Sequence, residues 1–136
     1  MIINLQTLES LLACNSGYKN FARNHPNFNG TLAESLALES VPYTDKIWLI
    51  NKVVSKPTKE SWIKNCLLSL IESYTTQQLS DMNILNCIVQ INKHITSSDS
   101  ATKDLAIQTA ESITHHVASL HPSQQTTNLT LLINLL

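Results

Sequence analysis

Charged side chains are scarce in this sequence of 136 residues: they make up 14% of it, and only nine of them are Lys or Arg. Arg23 is the single arginine, and the formal net charge is −1. Nucleic-acid-binding proteins need clustered cations against the phosphates, so the composition argues against that class. Polarity comes instead from Asn, Ser, Thr and Gln, which together number 48. Such a neutral, hydrogen-bonding surface suits a chain that lies against a protein partner.

Long apolar runs are also missing. No run approaches the 18 residues that a transmembrane helix needs, and residues 1–6 lack the basic start and apolar stretch of a signal peptide. The three cysteines, Cys14, Cys66 and Cys87, include no CxxC pair. We therefore expect no membrane association and a cytoplasmic location, with reduced and mostly buried cysteines.

Glycine occurs only at Gly17 and Gly30, so the last 106 residues have none. Hairpin turns depend on glycine, and apolar residues recur here at helical spacing instead. The sequence therefore predicts an all-α fold, a compact antiparallel helical bundle of seven to eight short helices. We expect a single domain over residues 1–136, with an aromatic-containing half (1–74) and an aliphatic half (79–136), because every aromatic residue precedes residue 75.

Capping and breaking residues set the expected helix ends. Thr31 and Glu34 form a capping-box pattern after Gly30, which predicts a helix start. Prolines follow His25, Val41 and Lys56. Each proline disfavours helical conformation at the residue before it, which predicts a helix end. The first helix is expected to end at Asn15-Ser16-Gly17, with Cys14 at its C-terminus. Ser80 or Asp81, and later Asp99 or Ser100, are expected N-caps. The predicted helices span about residues 5–14, 18–24, 32–39, 43–54, 58–74, 81–95, 100–120 and 123–136.

Residues with catalytic or metal-binding potential do not form a recognised pattern. His115, His116 and His121 lack the i, i+4 spacing that lets two histidines share a metal, and they are interpreted as a polar helix end. Cys14 at a helix C-terminus would have its thiolate disfavoured by the helix dipole. The phosphate-binding, dinucleotide, metalloprotease and hydrolase motifs are all missing. We therefore expect no enzyme activity, no metal and no cofactor.

Two surfaces stand out as candidates for contacts. The chain ends in an apolar helical stripe that must be covered by the core or by another chain, which makes it a candidate partner or oligomer contact. Its residues are Leu129, Leu132, Ile133 and Leu136. Lysines cluster across the predicted fourth and fifth helices as a candidate basic face, formed by Lys46, Lys52, Lys56, Lys59 and Lys64. The first surface supports a homodimer or other assembly protein as an alternative function, and the second a weak nucleic-acid-associated protein.

Residues 12–50 carry three short sequences, LACNSGYKNF (12–21), GTLAESL (30–36) and DKIWLI (45–50). Together they resemble small helical proteins of phages and bacterial mobile elements, including immunity and anti-defence proteins, although Ser35 replaces the usual Ala. The resemblance implies a small accessory protein that binds another protein. The function we expect is that of a non-enzymatic inhibitor, anti-CRISPR-like or immunity-like. It would act on a larger host complex by steric occlusion or subunit displacement.

Overall fold

The computed structural model describes residues 1–75, 82–96 and 99–136 of the chain. Within this described part the fold is all-α, as predicted, with a two-strand sheet of two residues per strand. The elements in order are β1 (Ile2–Ile3), α1 (Leu5–Ser10), α2 (Asn15–Asn24), β2 (Gly30–Thr31), α3 (Leu32–Leu36), α4 (Tyr43–Val53), α5 (Lys56–Thr75), α6 (Met82–Ile95), α7 (Ser100–Leu120) and α8 (Pro122–Ile133). The N-cap predicted at Ser80 or Asp81 falls outside the described residues.

The contacts divide the chain into two compact units. Unit 1 comprises Met1–Val54 together with Leu136, and unit 2 comprises Ser55–Leu135. Unit 1 therefore holds both strands and helices α1 to α4, and unit 2 holds α5 to α8.

The centre of unit 1 is a small apolar cluster. It is built from Ile3 of β1, Leu8 of α1, Phe21 of α2 and Leu49 of α4, each at most 7% exposed. Half-buried residues from every helix of the unit pack around it. Each short helix thus buries one apolar face, because a helix of five to eleven residues gains little stability alone.

The strand pair of unit 1 was not predicted from the sequence. Ile2 pairs with Thr31 and Ile3 with Gly30 in antiparallel register. The capping box that was predicted at the same place is confirmed: Thr31 Oγ1 accepts from the Glu34 N–H at 3.2 Å, and Glu34 Oε2 accepts from the Thr31 N–H at 2.6 Å. A two-residue strand has no periodic signature, whereas a capping box does.

Unit 2 is organised around α5. Apolar residues recur along this helix at helical spacing, and five of its residues have no solvent exposure: Trp62, Ile63, Cys66, Leu67 and Leu70. The Trp62 indole N–H donates to the backbone carbonyl of Asn128 at 2.7 Å, which joins α5 to α8 across 66 residues of sequence. Asp99 caps α7, as predicted, by accepting from the Thr102 N–H.

The expectation of mostly buried cysteines is wrong, because Cys14 and Cys87 are exposed and only Cys66 is buried. The buried face of α7 is narrow: Ala106, Ala110 and Val117 lie on it, whereas Leu105 and Leu120 are 65% and 60% exposed.

In the part of the chain that the structure describes, no helix has the length and apolar character to cross a membrane.

Candidate functional site

An apolar cleft of about 130 Å³ opens in unit 1 between α1, α2 and α4. Most of its wall is hydrocarbon or aromatic, including Leu8, Tyr18, Phe21, Val41, Trp48 and Leu49. Polar groups enter it at Cys14, Asn20, Ser35, Asp45 and Lys46. A dry apolar cavity of comparable size holds one benzene ring, so this cleft matches a single apolar side chain. Recognition pockets commonly combine such a lining with a few polar groups.

The turn after α1 places two residues of the cleft, Ala13 and Cys14. Here the Ala13 N–H donates to the Leu8 carbonyl at 3.1 Å and the Leu12 N–H to the Glu9 carbonyl at 3.0 Å, which is the Schellman arrangement. The left-handed position of that motif usually belongs to glycine. In this chain it is Leu12, with φ at 62°, and its side chain is 84% exposed.

The predicted end of the first helix is therefore wrong. Helix α1 stops at Ser10, the chain reverses at Leu12, and Gly17 lies inside α2 with a negative φ. The sequence pattern pointed to Gly17 because glycine is the usual helix stop. Gly17 has a different role: a Cβ atom there would stand 3.2 Å from Cys14 Sγ and 3.4 Å from Asp45 Oδ2, so glycine leaves room for both groups.

Cys14 is the N-cap of α2 and not the C-terminal residue of a helix, which corrects the sequence-based interpretation. Its Sγ lies 3.6 Å from Ser16 Oγ and accepts from the Gly17 N–H at 3.4 Å. The Ser16 hydroxyl and then the Gly17 N–H lower the pKa of the Cys14 thiol, although burial and the Asp45 carboxylate act in the opposite direction. An exposed thiol at a helix N-terminus is the setting in which cysteine is reactive. The only sequence signal for this cap is the polar pair Asn15-Ser16 that follows it.

Lys46 was predicted to belong to an exposed basic face and is instead 8% exposed in the wall of the cleft. Burial lowers the pKa of the Lys46 ammonium, and the Glu39 carboxylate partly offsets this effect. The Lys46 ammonium forms no hydrogen bond or ion pair with a described residue, whereas its backbone N–H donates to the Pro42 carbonyl at 3.1 Å. The cleft wall therefore includes a largely covered lysine whose ammonium has no close counter-ion among the described residues.

The other lysines of the predicted basic face are divided between the two units. Lys59 Nζ lies 3.2 Å from the Glu111 carboxylate, and Lys56 lies 3.9 Å from Glu60. Lys52 is exposed and stands 5.8 Å from the centre of the Trp48 ring, in cation–π range. Lys64 is half-buried on α5.

The predicted C-terminal contact is only partly on the surface. Leu129 and Leu132 are 9% and 0% exposed, so they belong to the protein interior and not to a free apolar face. Ile133 is half-buried, and Leu136 is 55% exposed. The residues do recur along α8 at helical spacing, but Leu129 and Leu132 are buried within the chain, so they do not form an exposed contact surface.

His115 is not a polar helix end, as had been expected, because it packs against Trp62 at a ring separation of 5.9 Å. Its Nε2 lies 3.8 Å from Glu111 Oε1. His115, together with Lys59, lowers the pKa of the Glu111 carboxyl against the effect of its burial. No group of three potential metal ligands occurs within the described ranges.

Comparisons of the chain with protein-family models, with curated proteins and with solved structures found no match.

Proposed function

We propose that the chain acts by binding another protein, and that unit 1 carries the contact. The observation that supports this most is the pairing of two features at one place: an apolar cleft sized for one side chain, and Leu12 immediately before the cleft residues Ala13 and Cys14. Protein interfaces concentrate their binding energy in a few anchors that fill small pockets. The cleft is suited to receive an anchor from the partner, and Leu12 is suited to provide one.

The backbone at Leu12 strengthens this assignment. A non-glycine residue at positive φ costs about 1–2 kcal/mol, and Leu12 gains little packing in return because it is 84% exposed. Strained conformations of this kind concentrate at functional positions. A contact with a partner would bury the leucine side chain and so compensate for the strain.

The mode of action that fits this surface is occlusion. A chain that binds a partner through one anchor residue and one pocket competes with the subunit that normally binds the same surface of that partner. This mode of action requires no catalytic activity. The segment that resembles small phage and mobile-element proteins, residues 12–50, lies entirely within unit 1. We therefore propose an inhibitor or accessory protein of a larger host complex.

The test is capture of partners that depends on this surface. Four immobilised forms of the full chain are compared on the same host lysate: the unaltered chain, Leu12→Asp, Ala13→Leu and Leu105→Asp. The first substitution removes the anchor, and the second fills the cleft from a lining residue. The third is the matched control, since Leu105 is another exposed leucine, at 65%, but lies in unit 2.

A partner that uses unit 1 is retained by the unaltered chain and by Leu105→Asp, and is lost with Leu12→Asp and Ala13→Leu. Circular dichroism must show the same helix content in all four forms. The proposal is wrong if captured proteins are retained equally by all four, or if only Leu105→Asp loses them.

A further inference from the structure

One lysine of the cleft in unit 1, Lys46, has no close counter-ion among the described residues. As a residue it is more than nine-tenths buried, yet its ammonium forms no hydrogen bond or ion pair with a described residue. Buried charges in proteins are normally paired, because removal of an ammonium from water is costly. Glu39 influences Lys46 only through the longer-range Coulomb attraction.

Asp45 also lines the cleft but does not neutralise Lys46. Its carboxylate lies beside the first turn of α2, where Oδ2 is 3.4 Å from the Cβ position of Gly17. A carboxylate there complements the positive end of the helix dipole. Neighbouring residues on a helix diverge by about 100°, and no ion pair joins Asp45 to Lys46. The N-terminus of α2 therefore already has an anion beside it, while Lys46 has none.

The apolar wall of the cleft and the Lys46 ammonium together indicate which kind of ligand the cleft would bind. The apolar wall of Leu8, Phe21, Trp48 and Leu49 favours an aliphatic or aromatic group. The unpaired ammonium favours a carboxylate, since charge-assisted hydrogen bonds are stronger in a partly desolvated site. The volume of about 130 Å³ matches one residue-sized ligand that carries both groups.

We infer that the cleft binds the C-terminal residue of a partner protein, with its apolar side chain against the cleft wall and its terminal carboxylate on the Lys46 ammonium. A C-terminal residue carries a side chain and a carboxylate on the same carbon atom, which an internal segment with separate acidic and apolar residues does not. Residues that precede it in the partner extend out of the cleft and pass Leu12, which a free organic acid would leave exposed.

This inference rests on the proposed function and deepens it, and it can be tested without knowledge of the partner. The probes are acetyl-Ser-Gly-Leu with a free C-terminal carboxylate, the same peptide as its C-terminal amide, and 4-methylpentanoate. Each is titrated into the full chain by calorimetry. We expect the peptide acid to bind roughly tenfold or more tightly than the amide, because only the acid forms the charged contact. It should also bind more tightly than 4-methylpentanoate, which makes no contact at Leu12.

The variant that isolates the contact is Lys46→Met, which keeps the length and apolar character of the side chain. It should abolish the preference for the acid and leave the affinity for the amide within about twofold. The matched control is Lys19→Met on α2, which removes an exposed lysine of the same unit and should leave the preference unchanged.

Equal affinity for peptide acid and amide would overturn the inference, and so would a preference that survives in Lys46→Met. Absence of binding by every probe would overturn it as well. If 4-methylpentanoate binds as tightly as the peptide acid, the cleft is a site for small organic acids and the assignment to a partner's C-terminus is wrong. None of these results affects capture that depends on Leu12 and Ala13, so the proposed function is judged separately.

Discussion

Replacement of Leu12 by glycine should stabilise unit 1, which is an unusual expectation for the loss of a leucine. With φ at 62°, the Cβ atom of Leu12 costs about 1–2 kcal/mol, and glycine removes that cost. The greater conformational freedom of glycine in the unfolded chain opposes this gain and lowers the free energy of unfolding by about 0.4–1 kcal/mol. Little packing is lost, because the side chain is 84% exposed. The net expectation is a gain of about 0.5–1 kcal/mol in the free energy of unfolding.

Urea unfolding followed by circular dichroism and tryptophan fluorescence measures this change, and a thermal scan should show a rise of roughly 2–8 °C. Two controls separate the backbone effect from the loss of the side chain. Leu12→Ala keeps the Cβ atom and should remain within about 0.5 kcal/mol of the unaltered chain. Leu105→Gly removes another exposed leucine, from within α7, and should cost about 1 kcal/mol. The reasoning is refuted if Leu12→Gly is no more stable than Leu12→Ala.

Other consequences concern the buried and the reactive side chains. In the folded chain at pH 7.5, Cys14 should react with iodoacetamide roughly a hundredfold or more faster than Cys66. The reason is that Cys14 is exposed and has a lowered pKa, whereas burial raises the pKa of Cys66 to about 12. Similar rates are expected only after unfolding in urea, so similar rates in the folded state would contradict this prediction. Lys46→Met should raise the free energy of unfolding at pH 7. Because the folded pKa of Lys46 lies below its ordinary 10.5, the unfolded state binds more protons between these two values. The free energy of unfolding of the unaltered chain therefore increases as the pH rises between these two values, and the stability difference between Lys46→Met and the unaltered chain should become smaller. A stability difference that does not depend on pH would exclude the charge of Lys46 as its cause. Trp62→Phe should cost about 2 kcal/mol in chemical unfolding, from a lost indole hydrogen bond to Asn128 and a smaller ring; a cost near zero would mean that this bond does not hold α5 to α8.

The helices were predictable because their signals are repetitive or local. The stripe of α5 repeats over a dozen residues, and the caps at Thr31 and Asp99 depend on side chains three positions away. Such patterns can be recognised in the sequence without knowledge of the tertiary structure. The strand pair was not predictable, because Ile2 and Ile3 owe their conformation to Gly30 and Thr31, far along the chain.

The candidate site was missed for a related reason. A leucine in the left-handed position is rare, so nothing in the sequence marks Leu12 as a helix stop. Once that turn is misplaced, Cys14 falls at the wrong end of a helix and its thiol is assigned the wrong electrostatics. The burial of Lys46 depends on how α4 packs against α2, which the mixed polar and apolar sequence of α4 leaves open.

The C-terminal leucines show a different limit of prediction from sequence, which concerns the distinction between core and interface. An apolar stripe predicts that Leu129 and Leu132 are covered, and they are. The pattern is identical whether the cover comes from the same chain or from a second one, so the sequence could not decide between core and interface. The spatial neighbours α5 and α7 provide the answer.

The short sheet of unit 1 has a consequence for the order in which the unit folds. The hydrogen bonds within helices α1 to α4 join residues four positions apart, whereas the pairing of Ile3 with Gly30 must close a loop of 27 residues. Closing that loop carries an entropic cost of about 3 kcal/mol. Thr31 is at once the last residue of β2 and the N-cap of α3, so strand and cap are completed in the same event. Formation of unit 1 should therefore be limited by the meeting of β1 and β2, although these strands contain only four of its residues.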